Sequence, residues 1–561
     1  MIPNLLPSDL GLPPKFTSWR PGQLKALSRS LDSPRRFIAH SMPVGEGKSL
    51  YYIAHALLGS SRTCILTSSK GLQTQLLGDF SPCGLVDMRG RNNYPCHVKE
   101  ARNCDEGQHY HRCAKTECSY EIARESMLRA SLVESNYSYF MLSTMYGRGM
   151  GKFDLLVMDE SHDAPDEVCA AMAIEVSYWE ANRIGVRLPS DDSLIQAWFD
   201  WGNEAGIVTS TNVAAFTEAA NEERRSAGHV SRDTAVALHL WNRLNTKCQS
   251  IAKAEGTGEW IVSRTGDGRR IEPVWAHQHA HKVLFQDIPK VVLTSATMVR
   301  KTLNLLGIDK DTVDFHEYPS SFPPRRSPVY LFPPSCDSKP IRIDHKIDED
   351  KISIWLAYID NVISKRLDRK GIIHTVSYER ARLIQSRSEH AAYMIVPGSS
   401  RETEAAIESF KRSSPPSILV SPSITTGYDF PGQECEFNLI IKVPFLDTRT
   451  PILEARQKED PEYAPYITAQ TITQAHGRSM RGPEDRSETF ILDGHILWFI
   501  KKFHHLFPFW FHRLVVTPSG LPEPPEALAP AGQPATHSTT TSEDSILGNE
   551  DRIRRYLRGT Y

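Results

Sequence analysis

The sequence predicts an α/β fold of two parallel-sheet units, the first interrupted by two insertions. Three observations predict it. Short apolar runs of strand length, such as Phe37-Ile38-Ala39 and Cys64-Ile65-Leu66, end in Gly- or hydroxyl-bearing loops and lead into helix-like runs. The same alternation resumes after a Pro-rich stretch, Tyr318-Pro-Ser-Ser-Phe-Pro-Pro-Arg325, which marks the boundary between the units. Between the runs of the first unit lie a cysteine-bearing polar segment and a long segment of helical periodicity.

The totals agree. At 561 residues the chain is too long for one core. With 65 basic and 67 acidic residues the net charge is −2, so any nucleic-acid track must be local rather than global. The N-terminus lacks a basic region followed by a long apolar core, and no apolar run reaches membrane-spanning length, so a soluble intracellular protein is expected. Four of the ten cysteines fall between residues 96 and 118, which suggests a metal site in a reducing compartment rather than a disulfide framework.

Taken in order, the first helix opens at Arg20-Pro21, and Gln23 in its first turn has an amide able to pair with an adenine edge, although a solvated Gln is the commoner case. Ser41-Met-Pro-Val-Gly45-Glu-Gly47-Lys48-Ser49 sits between a strand and a helix. Gly45 and Gly47 permit a sharp turn that can aim successive N–H groups at phosphate oxygens, where Lys48 would reach the β/γ phosphates and Ser49 would bind Mg²⁺; the alternative is an ordinary Gly turn with a solvated lysine. Met42 stands where the fuller pattern has its first Gly. Thr67, Ser68 and the helix that runs to Gln75 offer a phosphate contact, or simply a helix cap.

Cys96, Cys104, Cys113 and Cys118 are spaced by seven, eight and four residues, and four thiolates suit zinc or an iron–sulfur cluster, with His97, His109 and His111 as substitute ligands. A further strand delivers Asp159-Glu160-Ser161-His162: Asp159 would hold Mg²⁺ and Glu160 would orient and deprotonate the attacking water. Residues 165–275 are periodic and Trp-rich, and their aromatics (179, 198, 201, 241, 260 and 275) are expected to form core rather than base-stacking platforms. Lys290–Ser295 is a strand ending in Ser295-Ala296-Thr297. In the second unit, strands precede Ser377-Tyr378, the loop bearing Gly427 and Asp429, and Pro444. Gln474-Ala-His-Gly-Arg478-Ser-Met-Arg481 places two arginines on one helical face, suited to clamping a γ-phosphate across the cleft.

In this order the segments resemble a superfamily 2 helicase of the iron–sulfur XPD/DinG class, over roughly residues 16–500. Gln23 resembles the adenine-reading Gln; Gly45, Gly47, Lys48 and Ser49 match motif I; Thr67–Gln75 resembles motif Ia. Asp159–His162 matches motif II of the DEAH type, with Ser in place of the common Ala. Ser295–Thr297 matches motif III, Ser377-Tyr378 motif IV, Gly427 and Asp429 motif V, and Gln474, Gly477, Arg478 and Arg481 motif VI. The resemblance implies two RecA-like lobes of the P-loop NTPase fold: the first from 1–80, 126–164 and 276–318, the second from 319–516. It further implies a [4Fe–4S] domain at 81–125 held by Cys96, Cys104, Cys113 and Cys118, with zinc as the alternative, and a helical Arch-like insertion at 165–275. The implied activity is ATP- and Mg²⁺-dependent 5′→3′ DNA unwinding on single-stranded and forked DNA by a monomer. The rivals are a translocase that remodels protein–DNA complexes without unwinding and a non-motor ATPase switch. Residues 517–544 are expected to be a flexible linker, and 545–561 a short tail helix that could engage a loading protein.

Overall fold

The computed structural model describes residues 5–99, 101–108, 117–344, 349–422, 430, 432–477, 480 and 485–517. The expected linker beyond Thr517 and the tail helix lie outside them.

The first lobe is a seven-stranded, wholly parallel sheet. In chain order it uses α1 (Pro21–Asp32), β1 (Phe37–Ser41), α2 (Lys48–Gly59), β2 (Thr63–Thr67), α3 (Lys70–Phe80) and β3 (Leu85–Met88). After the cysteine segment, with α4 (Cys104–Gly107) and α5 (Ser119–Arg129), come β4 (Leu132–Asn136), α6 (Tyr137–Tyr146), β5 (Leu155–Asp159) and α7 (Ala164–Met172). The strand order is β10-β1-β9-β5-β2-β4-β3, where β9 is Lys290–Ser295 and β10 is Val313–Glu317. The strands are apolar on both faces because helices cover both, as parallel sheets require. One face buries Ile38, Ile65, Val157 and Val292 with Tyr51 and Ile53 of α2; the other buries Leu66, Met158 and Leu293 with Phe140 and Phe285. β3 is the edge strand of this sheet, and the cysteine segment follows it.

The second insertion is not purely helical. Strands β6 (Ile174–Ser177), β7 (Trp260–Arg264) and β8 (Gly268–Pro273) form an antiparallel sheet around α8 (Tyr178–Ile184), α9 (Ile195–Ala227) and α10 (Arg232–Ala254). α9 and α10 form an antiparallel pair so close at Gly202 that a Cβ there would lie 2.8 Å from the Ala252 nitrogen. Trp198, Trp201, Trp241, Trp260 and Trp275 are buried as expected, but Trp179 is 58% exposed: it follows the Ser177 cap of α8 on the outer face of that helix. The chain re-enters lobe 1 through α11 (Ala280–Val283), β9, α12 (Arg300–Leu305) and β10.

The second lobe is another seven-stranded parallel sheet, ordered β15-β16-β14-β17-β18-β11-β19. Its strands are β11 (Val329–Tyr330), β14 (Lys370–His374), β15 (Met394–Ile395), β16 (Ser417–Ser421), β17 (Phe437–Ile440), β18 (Glu488–Ile491) and β19 (Val515–Val516), with a small antiparallel pair, β12 (Ser335–Cys336) and β13 (Lys339–Pro340), beside it. The helices are α13 (Glu349–Ser364), α14 (Tyr378–Arg387), α15 (Thr403–Arg412), α16 (Pro451–Glu459), α17 (Tyr463–Gly477), α18 (His495–Lys502) and α19 (Phe509–His512). Among the described residues no helix is long and apolar enough to cross a membrane.

Candidate functional site

The phosphate loop runs from the end of β1 to Gly47, the N-cap of α2. Gly45 and Gly47 have φ of 79° and 67°, the left-handed region that glycine enters without a Cβ penalty. The turn aims the first N–H groups of a 12-residue helix into the cleft. Lys48 Nζ lies 3.5 Å from Glu160 Oε1, so the lysine faces motif II across the space a triphosphate would enter. Ser49 follows on α2, half-buried.

Two side chains grip the loop from behind. Gln23 is almost fully buried, and its Nε2 donates to the carbonyls of Glu46 and Gly47, both at 2.8 Å. Its Oε1 accepts from Arg20 N at 2.8 Å, capping α1. Its amide is therefore turned into the loop. Glu46, 2% exposed, accepts from Ser321 N at 2.7 Å and from Ser321 Oγ at 2.9 Å, tying the loop to the connector between lobes. Nothing in the sequence singled out Glu46, an acid between two loop glycines.

At the end of β5, Asp159 is buried, receiving the Tyr52 hydroxyl at 3.0 Å and the Glu160 N–H at 3.0 Å. Burial and the adjacent Glu160 raise its pKa to about 6, while Lys48 pulls it down; a divalent cation would favour the ionised form. Glu160 has φ 46°, strained for a residue with a side chain, which turns its carboxylate toward Lys48. Ser295 Oγ joins the two motifs, 3.3 Å from Glu160 Oε2 and 2.7 Å from His162 Nδ1. Burial lowers the pKa of His162, but Asp163 and Glu160 beside it more than offset this and raise it to about 10.

The second lobe closes on this constellation. Gln474 on α17 has Nε2 2.5 Å from His162 Nε2; with a protonated imidazole the amide presents its oxygen instead. Gln470 Nε2 donates to Thr297 O at 2.6 Å, and Trp510 Nε1 to Ala296 O at 2.7 Å. At the end of α17, a Cβ on Gly477 would lie 2.5 Å from Val44 Cγ2, and a Cβ on Gly45 would lie 2.7 Å from Met480 O. Gly477 and Met480 thus meet the phosphate loop; Arg478 and Arg481, and Gly427 and Asp429, lie outside the described residues. Arg456 of α16 was not anticipated. Buried, it donates to Val274 O at 2.8 Å and to Asp166 at 3.1 Å, locking lobe 2 onto α7 directly after motif II.

The cysteine segment packs under β3. Cys104 Sγ and Cys118 Sγ are 3.3 Å apart and buried, with Arg91 Nη1 4.0 Å from Cys104 Sγ. Cys96 packs on α4, where a Cβ on Gly107 would lie 2.2 Å from its sulfur. Burial and the Cys118 thiol push Cys104 up to about 12. Cys113, His109 and His111 lie outside the described residues, and among the described residues no three His, Cys, Asp or Glu side chains form a metal-holding group.

Of the two hydroxyls read as phosphate contacts, Thr67 is fully buried and Ser68 is half-open; the neighbouring Ser69, not singled out in the sequence, caps α3 by accepting from Leu72 N at 3.3 Å. In lobe 2 a cavity of about 1240 Å³ opens beside the C-terminal end of β14, with Ser377, Arg380, Lys442 and Phe445 among its lining. Arg380 Nη1 is buried there without a hydrogen-bond partner, while its Nη2 donates to Asp344 O at 3.0 Å. Burial and the Arg380 charge hold Lys442 below the usual lysine range. Asp344, Glu379 and Asp447 line the same space, so cations and carboxylates face it together.

Residues 362–513 match the family model of a helicase C-terminal domain. No curated protein matches the chain. A solved structure described as an XPD helicase is 14% identical over 87% of this chain and 98% of its own, with a TM-score of 0.55. One described as apo XPD is 13% identical over 86% and 98%, with a TM-score of 0.53. The Xpd4 structure from S. tokodaii is also 13% identical over 86% and 98%, with a TM-score of 0.51. At these identities the likeness is one of fold: two parallel-sheet lobes arranged as in XPD helicases.

Proposed function

We propose that this chain, a superfamily 2 helicase of the XPD/DinG kind by its fold and its C-terminal lobe, is an ATP-dependent 5′→3′ DNA helicase. The observation that carries the reading is the meeting of Gly477 and Met480 of lobe 2 with Val44 and Gly45 of the phosphate loop. ATP would lie between Gly45–Ser49 and Asp159–Glu160 on one side and the Gln474–Arg481 segment on the other. Ser49 and Asp159 would hold Mg²⁺. Glu160, oriented by Ser295, takes the proton of the attacking water, and Arg478 and Arg481 stabilise the charge on the transferring phosphoryl group. Loss of the γ-phosphate removes what holds the lobes together, and their opening advances the strand.

Single-stranded DNA would cross Ser68 and the N-terminus of α3 in lobe 1 and the Arg380–Lys442 cavity in lobe 2, both at C-terminal strand ends. The cysteine corner supports a thiolate-held group: Cys104 and Cys118 are buried side by side next to a guanidinium, and Cys96 packs on the same helix. With Cys113 these residues would hold a [4Fe–4S] cluster, which when bound cross-links the segment at the edge of lobe 1.

The test is strand displacement on matched duplexes with a 5′ or a 3′ overhang, with and without ATP. ATP-dependent displacement of the 5′-overhang substrate alone is expected. Displacement of the 3′ substrate, or of neither, overturns the polarity or the unwinding.

A further inference from the structure

We infer that Gln23 is a positioning residue that braces the phosphate loop, and that choice of the nucleotide base does not run through it. The inference rests on the ATPase reading of the cleft and departs from the adenine-reading role that the sequence suggested.

The argument is one of hydrogen-bond capacity. A primary amide has two N–H donors and one carbonyl oxygen. To read adenine at N6 and N7 it must accept with the oxygen and donate with the nitrogen, as Gln and Asn do when they pair with that edge. The Gln23 nitrogen is already engaged by two loop carbonyls, Glu46 O and Gly47 O at 2.8 Å each, and the oxygen by Arg20 N at 2.8 Å. The side chain is 3% exposed, and it sits so close behind the loop that a Cβ on Gly47 would stand 2.7 Å from its Nε2. Turning the amide toward a base would leave two buried carbonyls unpaired in the loop that must hold the triphosphate. The bond to Gly47 O also fixes the residue that caps α2, so the amide sets the direction of the N–H groups that meet phosphate.

A brace acts on the phosphates and treats all bases alike; a base reader acts on adenine only. Inorganic tripolyphosphate carries no base and separates the two. Dissociation constants of ATP, GTP and tripolyphosphate, each with Mg²⁺, are measured by calorimetry for the wild-type chain and for Gln23→Ala and Gln23→Glu. The glutamate keeps the acceptor that caps α1 but loses the two donors, so it isolates the brace from the cap, and a melting curve confirms that each variant is folded. The expected result is weakening by the same factor, about tenfold or more, for all three ligands. Weakening of ATP alone, down to the level of GTP, with tripolyphosphate unchanged, overturns the inference. ATP hydrolysis is followed in parallel: a wild-type chain that binds tripolyphosphate but hydrolyses nothing refutes the enzymatic reading, while the binding constants still decide the role of Gln23.

Discussion

Gly477 of lobe 2 faces Val44 of the phosphate loop so closely that a β-carbon on the glycine would stand 2.5 Å from the valine Cγ2. α17 can end against the loop only because this position has no side chain. Gly477→Val is therefore expected to push the following segment, with Arg478 and Arg481, away from the cleft. A displacement of an ångström at a transition-state contact costs on the order of 100-fold in rate. ATP hydrolysis should fall by about that factor with little change in melting temperature, and Val44→Ala should restore part of the loss in Gly477→Ala. Full activity in Gly477→Val would show that the lobes do not meet here during turnover.

The loop is also fastened to the hinge. Glu46 accepts the Ser321 N–H and hydroxyl, and Ser321 lies in the connector that joins the two sheets. A charge-assisted bond of this kind contributes about 1.5–3 kcal/mol. Glu46→Gln and Ser321→Ala should each lower kcat several-fold, and the double variant should lose little more than either alone. Additive losses in that cycle would mean that the two residues act independently.

These two relationships separate what the sequence carried from what it did not. The inner strands β1, β2, β5, β9, β14, β16 and β17 were legible because each is a short apolar run that ends in a turn-forming loop, and the phosphate loop and motif II because their residue types and order are local; edge strands such as β10, with its Asp314 and His316, are too polar or too short to read. Gln23 was legible as a polar residue in a first turn, but its partners Glu46 and Gly47 are more than 20 residues away, and only the fold turns its amide inward. Arg456 gave no signal at all: it reads as one charge in a polar helix, and its burial comes from docking on Val274 and Asp166 and from lying over the Tyr463 and Trp275 rings. Trp179 misled for the converse reason, since an aromatic in a periodic segment reads as core until the helix face is known.

Glu134 of β4 predicts a pH dependence. It is buried between Asp87 of β3 and Thr67 of β2, and the Thr67 hydroxyl beside it favours the ionised form too weakly to offset burial. Burial raises its pKa to about 9, Asp87 and Asp159 add to the rise, and Arg89 opposes it. The folded chain thus keeps a proton that the unfolded chain releases above about 4.5. By linkage this costs stability progressively as pH rises from about 4.5, levelling off once the folded carboxyl ionises near 9. Glu134→Gln carries the neutral form permanently. Its melting temperature should exceed that of wild type by a margin that grows between pH 5 and pH 8. A margin that stays flat over that range would mean that the carboxylate is already ionised in the fold.

The cysteine corner gives the last prediction. As a bare thiol Cys104 is inert, since burial and its contact with Cys118 push it up to about 12. A metal centre would instead take the deprotonated forms and tie α4, which Cys104 opens, to α5, which Cys118 caps. Anaerobically purified protein should be brown and contain about four iron atoms and as many labile sulfides per chain. Cys104→Ser should lose both and lower strand displacement more than DNA-free ATP hydrolysis, because the cleft residues Lys48, Glu160 and Gln474 belong to other elements. Colourless protein with about one zinc per chain would replace the cluster with a structural zinc site. Metal-free protein that still unwinds DNA would leave the two buried thiols as simple core packing.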